Sequence, residues 1–238
     1  MSQIETSPEL SFPELSFEDK VDAARALVEE QIVQAPAGEI CVTTSFQAED
    51  VLVLSLVRAK LPGVPVVFLD TGYHFAETYE YRDRIAREWN LNLVNLLPEQ
   101  TVAEQEAQFG ILHQTDPSRC CGLRKVAPLF KELEKYQVWL TGMRREQAKS
   151  RAQLQAVDHF TLPSGKQLLK ISPLADWSAK DVWTYAGQQG IPLLPLYDQG
   201  YTSIGCAPCT SLPFDPGDPR SGRWGGRKQE CGIHIQPS

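Results

Sequence analysis

Residues 39–70 read EICVTTSFQAEDVLVLSLVRAKLPGVPVVFLD, and this stretch decides the architecture. Residues 39–46 carry no charge after the first position and are rich in β-branched side chains, the composition of a strand buried on both faces. Residues 48–59 follow as a helix, and the turn Leu61-Pro62-Gly63 breaks it. Residues 64–70 (VPVVFLD) then form a second buried strand. The alternation continues with a charged amphipathic helix over 78–89, a third strand over 90–97 and a short helix over 101–109. A further helix begins within 117–126, and residues 137–143 form a fourth strand. Gln167–Ile171 is a fifth extended piece, and Ala179–Gln188 is a helix stopped by Gly190 and Pro192. Upstream, Val21, Ala24, Leu27, Val28 and Ile32 have helical spacing, with Ser16 as N-cap. Strands alternating with helices of this length predict an α/β fold, a mostly parallel sheet flanked by helices.

The chain divides on composition into a flexible arm (1–15), the α/β body (16–200) and an irregular tail rich in glycine and proline (201–238). Two copies of Pro-Glu-Leu-Ser-Phe, at 8–12 and 13–17, run from the arm into the start of the body, and no larger repeat is present. With 238 residues, 42% of them hydrophobic, there is enough material for one good core. No stretch approaches the roughly 18 apolar residues that a membrane span needs, and the polar start does not read as a signal peptide. A soluble, cytoplasmic protein is expected, without a membrane partner. The net charge of −7 argues against a general nucleic-acid binder but not against a small anion held at a local basic site.

Ligands of parallel α/β sheets bind at the carboxyl ends of the strands. Three loops qualify: 45–48, 69–72 and 141–145. The first opens a helix, where free backbone N–H groups can hold an anion. Six cysteines without a secretion signal point to metal or redox chemistry rather than to a disulfide scaffold. Cys206 and Cys209 form a Cys-x-x-Cys pair, and Cys120-Cys121 offers two more thiolates. Four such ligands suit zinc and iron–sulfur equally, and the adjacent pair is awkward for a single tetrahedral ion because neighbouring Cα atoms sit about 3.8 Å apart. A redox disulfide at Cys206–Cys209 is a third option, but it leaves the other pair unexplained. Cys41, inside the first strand, reads as a core residue. Cys231 stands apart, with Arg220, Arg223, Arg227 and Lys228 before it and His234 after it; nearby cations lower a thiol's pKa. His74, His113 and His159 read as structural, and taken alone the arginines could be plain surface charges.

Six motifs together resemble a known family. They are Cys120-Cys121-x-x-Arg124-Lys125, Thr141-Gly142-x-Arg144-Arg145-x-Gln147, Ser172-Pro173-Leu174-x-Asp176-Trp177, Gly205-Cys206-x-x-Cys209, Arg220-Ser221-Gly222-Arg223-Trp224 and Glu230-Cys231-Gly232-x-His234. The combination is similar to the assimilatory sulfonucleotide reductases, and most of all to adenylyl-sulfate (APS) reductases that carry a 4Fe-4S cluster. The resemblance implies an adenine nucleotide alpha-hydrolase-like fold, with Cys120, Cys121, Cys206 and Cys209 as cluster ligands and Cys231 as nucleophile. It implies that Lys125, Arg220, Arg223 and His234 hold the phosphosulfate. Ser45, Phe46, Leu69, Gly142, Arg144 and Arg151 would complete the substrate site. Thioredoxin or a similar dithiol would be the partner, and homo-oligomers are compatible with the family. The 3′-phosphorylated substrate PAPS, used alone or alongside APS, and an adenylating or nucleotide-binding protein of the same fold remain the alternatives. One departure stands out: Gln47 occupies a position where the wider superfamily has glycine.

Overall fold

The computed structural model describes residues 15–228 and 230–235, so the repeated arm lies almost wholly outside the described residues. Strands β1 (Ile40–Thr44), β2 (Pro65–Leu69), β3 (Asn92–Leu96), β4 (Val138–Leu140), β5 (Val157–Thr161) and β6 (Gln167–Ile171) form one sheet in the order β3-β2-β1-β4-β6-β5. Every neighbouring pair is parallel except β5–β6. The parallel sheet agrees with the sequence expectation, but β5 is an additional strand. It pairs on one side only, and Phe160 is its only fully buried residue, so it lacks the apolar run that marks the central strands.

Helices α1 (Phe17–Ile32), α2 (Ala48–Arg58), α3 (Ala76–Glu88), α4 (Val102–Phe109), α5 (Leu112–Thr115), α6 (Pro117–Cys121), α7 (Ala127–Leu133) and α8 (Ala179–Gln188) surround the sheet. Ser16 caps α1 as expected, its hydroxyl accepting from the Asp19 N–H at 3.1 Å. Ser178 and Asp181 close a reciprocal capping box on α8, which explains its sharp start. Side chains alternate across the sheet. Ile40, Val42, Val66, Phe68, Val138 and Leu140 pack into the core that α1, α2 and α8 cover, while Cys41, Val67 and Trp139 face Leu129 and Leu133 of α7. Cys41 is thus a core residue, fully buried.

Two local features aim the functional side chains. Between α6 and α7, Gly122–Val126 form a π-helical turn, which sets Arg124 and Lys125 on divergent courses. Beyond Gly200 the chain runs as short turns that fold back on the body, with an isolated bridge from Cys206 to His74 and another between Thr210 and Arg223.

Candidate active site

A cavity of about 610 Å³ opens at the carboxyl ends of β1, β2 and β4 and is roofed by the tail. Ser45, Leu69, Lys125, Gly142, Arg144, Arg151, Arg220, Arg223, Cys231 and His234 all line it. Residues separated by almost two hundred positions are therefore gathered around one space. Gly142 lets the end of β4 run against the start of α2: a Cβ there would lie 2.7 Å from the Asp50 nitrogen. Gly205 likewise lets the Arg223 guanidinium lie against the backbone, since a Cβ would approach its Cζ to 2.5 Å.

The turn after β1 departs from expectation. Its N–H groups were expected to be free for an anion, yet most are already engaged. Ser45 N–H and Oγ both donate to Asp50 Oδ2 at 2.6 Å, and Ala48 N–H donates to the Tyr197 hydroxyl at 3.0 Å. Burial pushes the Asp50 carboxyl up to about 6, against the pull of the two Ser45 hydrogen bonds. Gln47, the departure from glycine, braces the turn: its amide donates to Ser45 Oγ at 3.0 Å and accepts from the Ile204 N–H at 2.7 Å. Phe46 is also placed differently. With φ of 58° it turns its ring out of the cavity into the core, against Phe68 and Tyr81. Arg144 reaches the cavity wall, but its guanidinium is committed to Glu49 at 2.7 Å and to the Trp177 carbonyl at 3.1 Å. It braces α2 rather than presenting a free cation.

Positive charge converges at the other end of the cavity. Arg223 is almost wholly buried, lies 4.6 Å over the Trp224 ring and donates to Thr210 Oγ1 at 3.1 Å. Burial lowers its pKa and that of Arg220, the latter to about 10 with help from the repelling Arg151. Burial also works against the Lys125 ammonium, but the nearby Cys206, Cys231 and Cys121 sulfurs prevail and hold its pKa above the usual lysine value. Desolvated cations crowded in this way are stabilised by an entering anion. His234 stacks on Trp139 with its Nδ1 unpartnered among the described residues, and burial, then Lys170, Arg151 and Arg220, hold its pKa well below the usual value. A neutral imidazole can still donate one hydrogen bond to an anion. Arg151 is bound by Glu230, the residue before Cys231.

The four remaining thiols sit directly behind this wall. Cys120, Cys121, Cys206 and Cys209 line one small cavity together with Lys125, Arg124 and Trp224. Arg124 pins the cysteine helix to the loop after β2, donating to the Thr71 carbonyl at 2.5 Å, and Thr71 Oγ1 lies 3.2 Å from Cys206 Sγ. Burial, and then the Cys121, Cys206 and Cys209 sulfurs, raise the thiol of Cys120 to about 11. Sulfurs that oppose one another's ionisation suit a cationic metal group, which would relieve that repulsion. Among the described residues, no group of three or more His, Cys, Asp or Glu side chains is placed to hold a metal ion. The fit is one of residue type and neighbourhood.

With this geometry in hand, comparison with known proteins is decisive. The phosphoadenosine phosphosulfate reductase domain pattern matches residues 39–212, which spans the sheet and both cysteine pairs. The chain belongs to this reductase family. A curated relative, "Adenosine 5'-phosphosulfate reductase" of Streptomyces coelicolor, is 49% identical over 82% of this reductase and 81% of its own length. A protein of the same name from Mycolicibacterium smegmatis is 41% identical over 99% of this reductase and 100% of its own length. Among solved structures, a phosphoadenylyl-sulfate reductase from Candida auris superposes with a TM-score of 0.67 at 26% identity, covering 83% of this reductase and 98% of that chain. Sequence reasoning assigned no place to four further residues: Asp50 and Glu230 line the same cavity, and Trp139 and Lys170 contact His234. Their positions follow from contacts across the fold, and only the motif neighbourhood of Glu230 hinted at one.

Proposed function

We propose that this chain reduces adenosine 5′-phosphosulfate to sulfite and AMP, with Cys231 as the nucleophile and thioredoxin or a similar dithiol as the electron source. The observation that carries this reading is the shared cavity: Cys231 opens into the same space as Lys125, Arg220, Arg223 and His234. The Cys231 thiolate attacks the sulfate sulfur, an S–S bond forms, and the S–O bond to the phosphate breaks with its electron pair leaving on AMP. Negative charge gathers on nucleophile and leaving group, where the buried cations stabilise it. The partner's thiolate then attacks Cys231 Sγ and expels sulfite, and its second thiol resolves the mixed disulfide. Sulfur is reduced by two electrons, and the dithiol is oxidised to a disulfide.

Cys120, Cys121, Cys206 and Cys209 would hold a 4Fe-4S cluster, and their types and shared cavity fit one. When bound, the cluster would supply a compact charge beside Lys125. Lys125 lines both cavities and so couples that charge to the phosphosulfate end. No helix among the described residues is long and apolar enough to cross a membrane.

Mixing the protein with APS, without a dithiol, should leave a sulfonate on Cys231 that mass spectrometry locates by peptide. Bound nucleotide with an unmodified Cys231 would overturn the mechanism. PAPS is the second reading, favoured by the likeness to the Candida auris structure. A kcat/KM for PAPS equal to or above that for APS, with thioredoxin as donor, would decide for it.

A further inference from the structure

Glu230 directly precedes Cys231, and its carboxylate fills the fork of Arg151: Nε to Oε1 and Nη2 to Oε2 are both 2.7 Å. Ser150 Oγ donates to Oε1 at 3.1 Å, and Arg220 Nη2 lies 3.8 Å from Oε2. Both side chains of the pair are sheltered, at 10% and 14% exposure. A bidentate carboxylate–guanidinium pair away from solvent is among the stronger polar contacts a protein makes. The same planar fork also matches phosphate and sulfate oxygens. Arg151, Arg220 and Glu230 face the cavity that Cys231 enters. An incoming anion therefore meets cations already engaged by a carboxylate of the chain itself, and one fork cannot serve two anions in the bidentate mode.

We propose that Glu230 is a resident competitor for the substrate's anion, and that its displacement by the phosphosulfate repositions Cys231. The inference rests on the proposed assignment of Arg220 to the phosphosulfate, with Arg151 beside it in the same cavity. The placement of Cys231 supports a pivot rather than a release of the whole tail. On its far side, His234 stacks on Trp139 and its carbonyl accepts from Lys170 Nζ at 3.5 Å, while Ile233 packs on the α7 side of the sheet. Freeing Glu230 leaves that second anchor in place. Glu230 is a positioning residue in this scheme, acting through Arg151 and through its peptide bond to Cys231.

Glu230→Gln keeps the size and removes the charge. Its dissociation constant for AMP should fall by about tenfold, the scale of one charge-assisted pair. Its affinity for adenosine, which has no phosphate, should not change. KM for APS should fall with the AMP constant while kcat changes far less, because substrate displaces Glu230 from Arg151 in the wild-type complex as well. Glu230→Asp restores the charge and should return the AMP constant toward the wild-type value. Unchanged or weakened AMP binding in Glu230→Gln overturns the proposal, since Glu230 would then orient Arg151 rather than compete for it. An equal change in adenosine affinity overturns it as well. A wild-type protein that binds AMP yet leaves APS unreduced would defeat the reductase reading while leaving this comparison interpretable.

Discussion

The imidazole of His234 lies nearly parallel to the indole of Trp139, with ring centres 5.4 Å apart and planes 15° from parallel. Trp139 is fully buried at the centre of the sheet, and its indole N–H donates to Thr43 Oγ1 at 2.9 Å. The last described turn of the chain is thereby fixed to the most rigid part of the fold. Because His234 is neutral, it contributes a directed hydrogen bond rather than a charge. His234→Ala should lower kcat/KM for APS by about 10- to 100-fold, the cost of one lost hydrogen bond to a charged group. The wild-type profile should show no inflection from this group between pH 6 and 8. Steady-state kinetics across that range test both points, and an inflection lost in the alanine variant would show that His234 acts as a cation.

Lys170 lies beneath the same turn, buried, with its ammonium 5.0 Å over Trp139 and 5.2 Å over Phe160. Burial, with Arg151 adding to it, lowers its pKa from 10.5 to about 8; Asp158 and Glu230 oppose the shift. A lysine with a depressed pKa binds its proton more weakly in the folded state, so folding is penalised below pH 8 and the penalty fades as pH rises towards the unfolded value. Lys170→Met removes the titration. Its stability advantage over wild type should be largest near pH 7 and shrink by up to about 3 kcal/mol by pH 10.5. Urea unfolding at several pH values measures this, and an advantage that grows with pH would reverse the assignment.

The two classes of thiol should separate cleanly. Cys231→Ser should abolish sulfite formation while retaining nucleotide binding and the visible absorption expected of the proposed cluster. Cys209→Ser should lose that absorption and lower the unfolding temperature, because the free energy of metal binding is also folding free energy. Iron analysis, visible spectra and calorimetry on the two variants provide the check; matching behaviour would show that ligand and nucleophile have been confused.

Gly142→Ala tests the close approach of β4 to α2. The new methyl would meet the backbone nitrogen of Asp50 at 2.7 Å, a contact that no side-chain rotation relieves. We expect a loss of about 1–3 kcal/mol in stability together with weakened AMP binding. Wild-type values for both would show that the strand end yields without strain.

How much of this could be read from the sequence depends on how local the cause was. The run ICVTT of β1 is buried along its whole length, and the Ser178 cap starts α8 where the pattern places it. Both signals reside in contiguous residues. β5 was hidden because an edge strand exposes Val157, Asp158 and His159, and its identity comes from the partner strand. Phe46 misled for a different reason: a left-handed backbone at one residue reverses its side chain, and neighbouring residue types do not reveal that reversal. The thiols and arginines were legible as chemistry from their motifs. Glu230 was not, because its meaning depends on Arg151, 79 positions away.

The π-helical turn at Gly122–Val126 carries a consequence for how this site tolerates change in length. An α-helix advances each residue by about 100°, so an uninterrupted helix would fix the bearing of Lys125 relative to the Cys120-Cys121 pair. The wider turn inserts a phase shift, and that shift lets one continuous rod point its thiols and Arg124 towards the β2 loop while Lys125 also reaches the larger cavity. Deleting a single residue here would act as a gear slipping one tooth: the helix would remain, its ends would still pack, and the lysine would no longer bridge the two chambers.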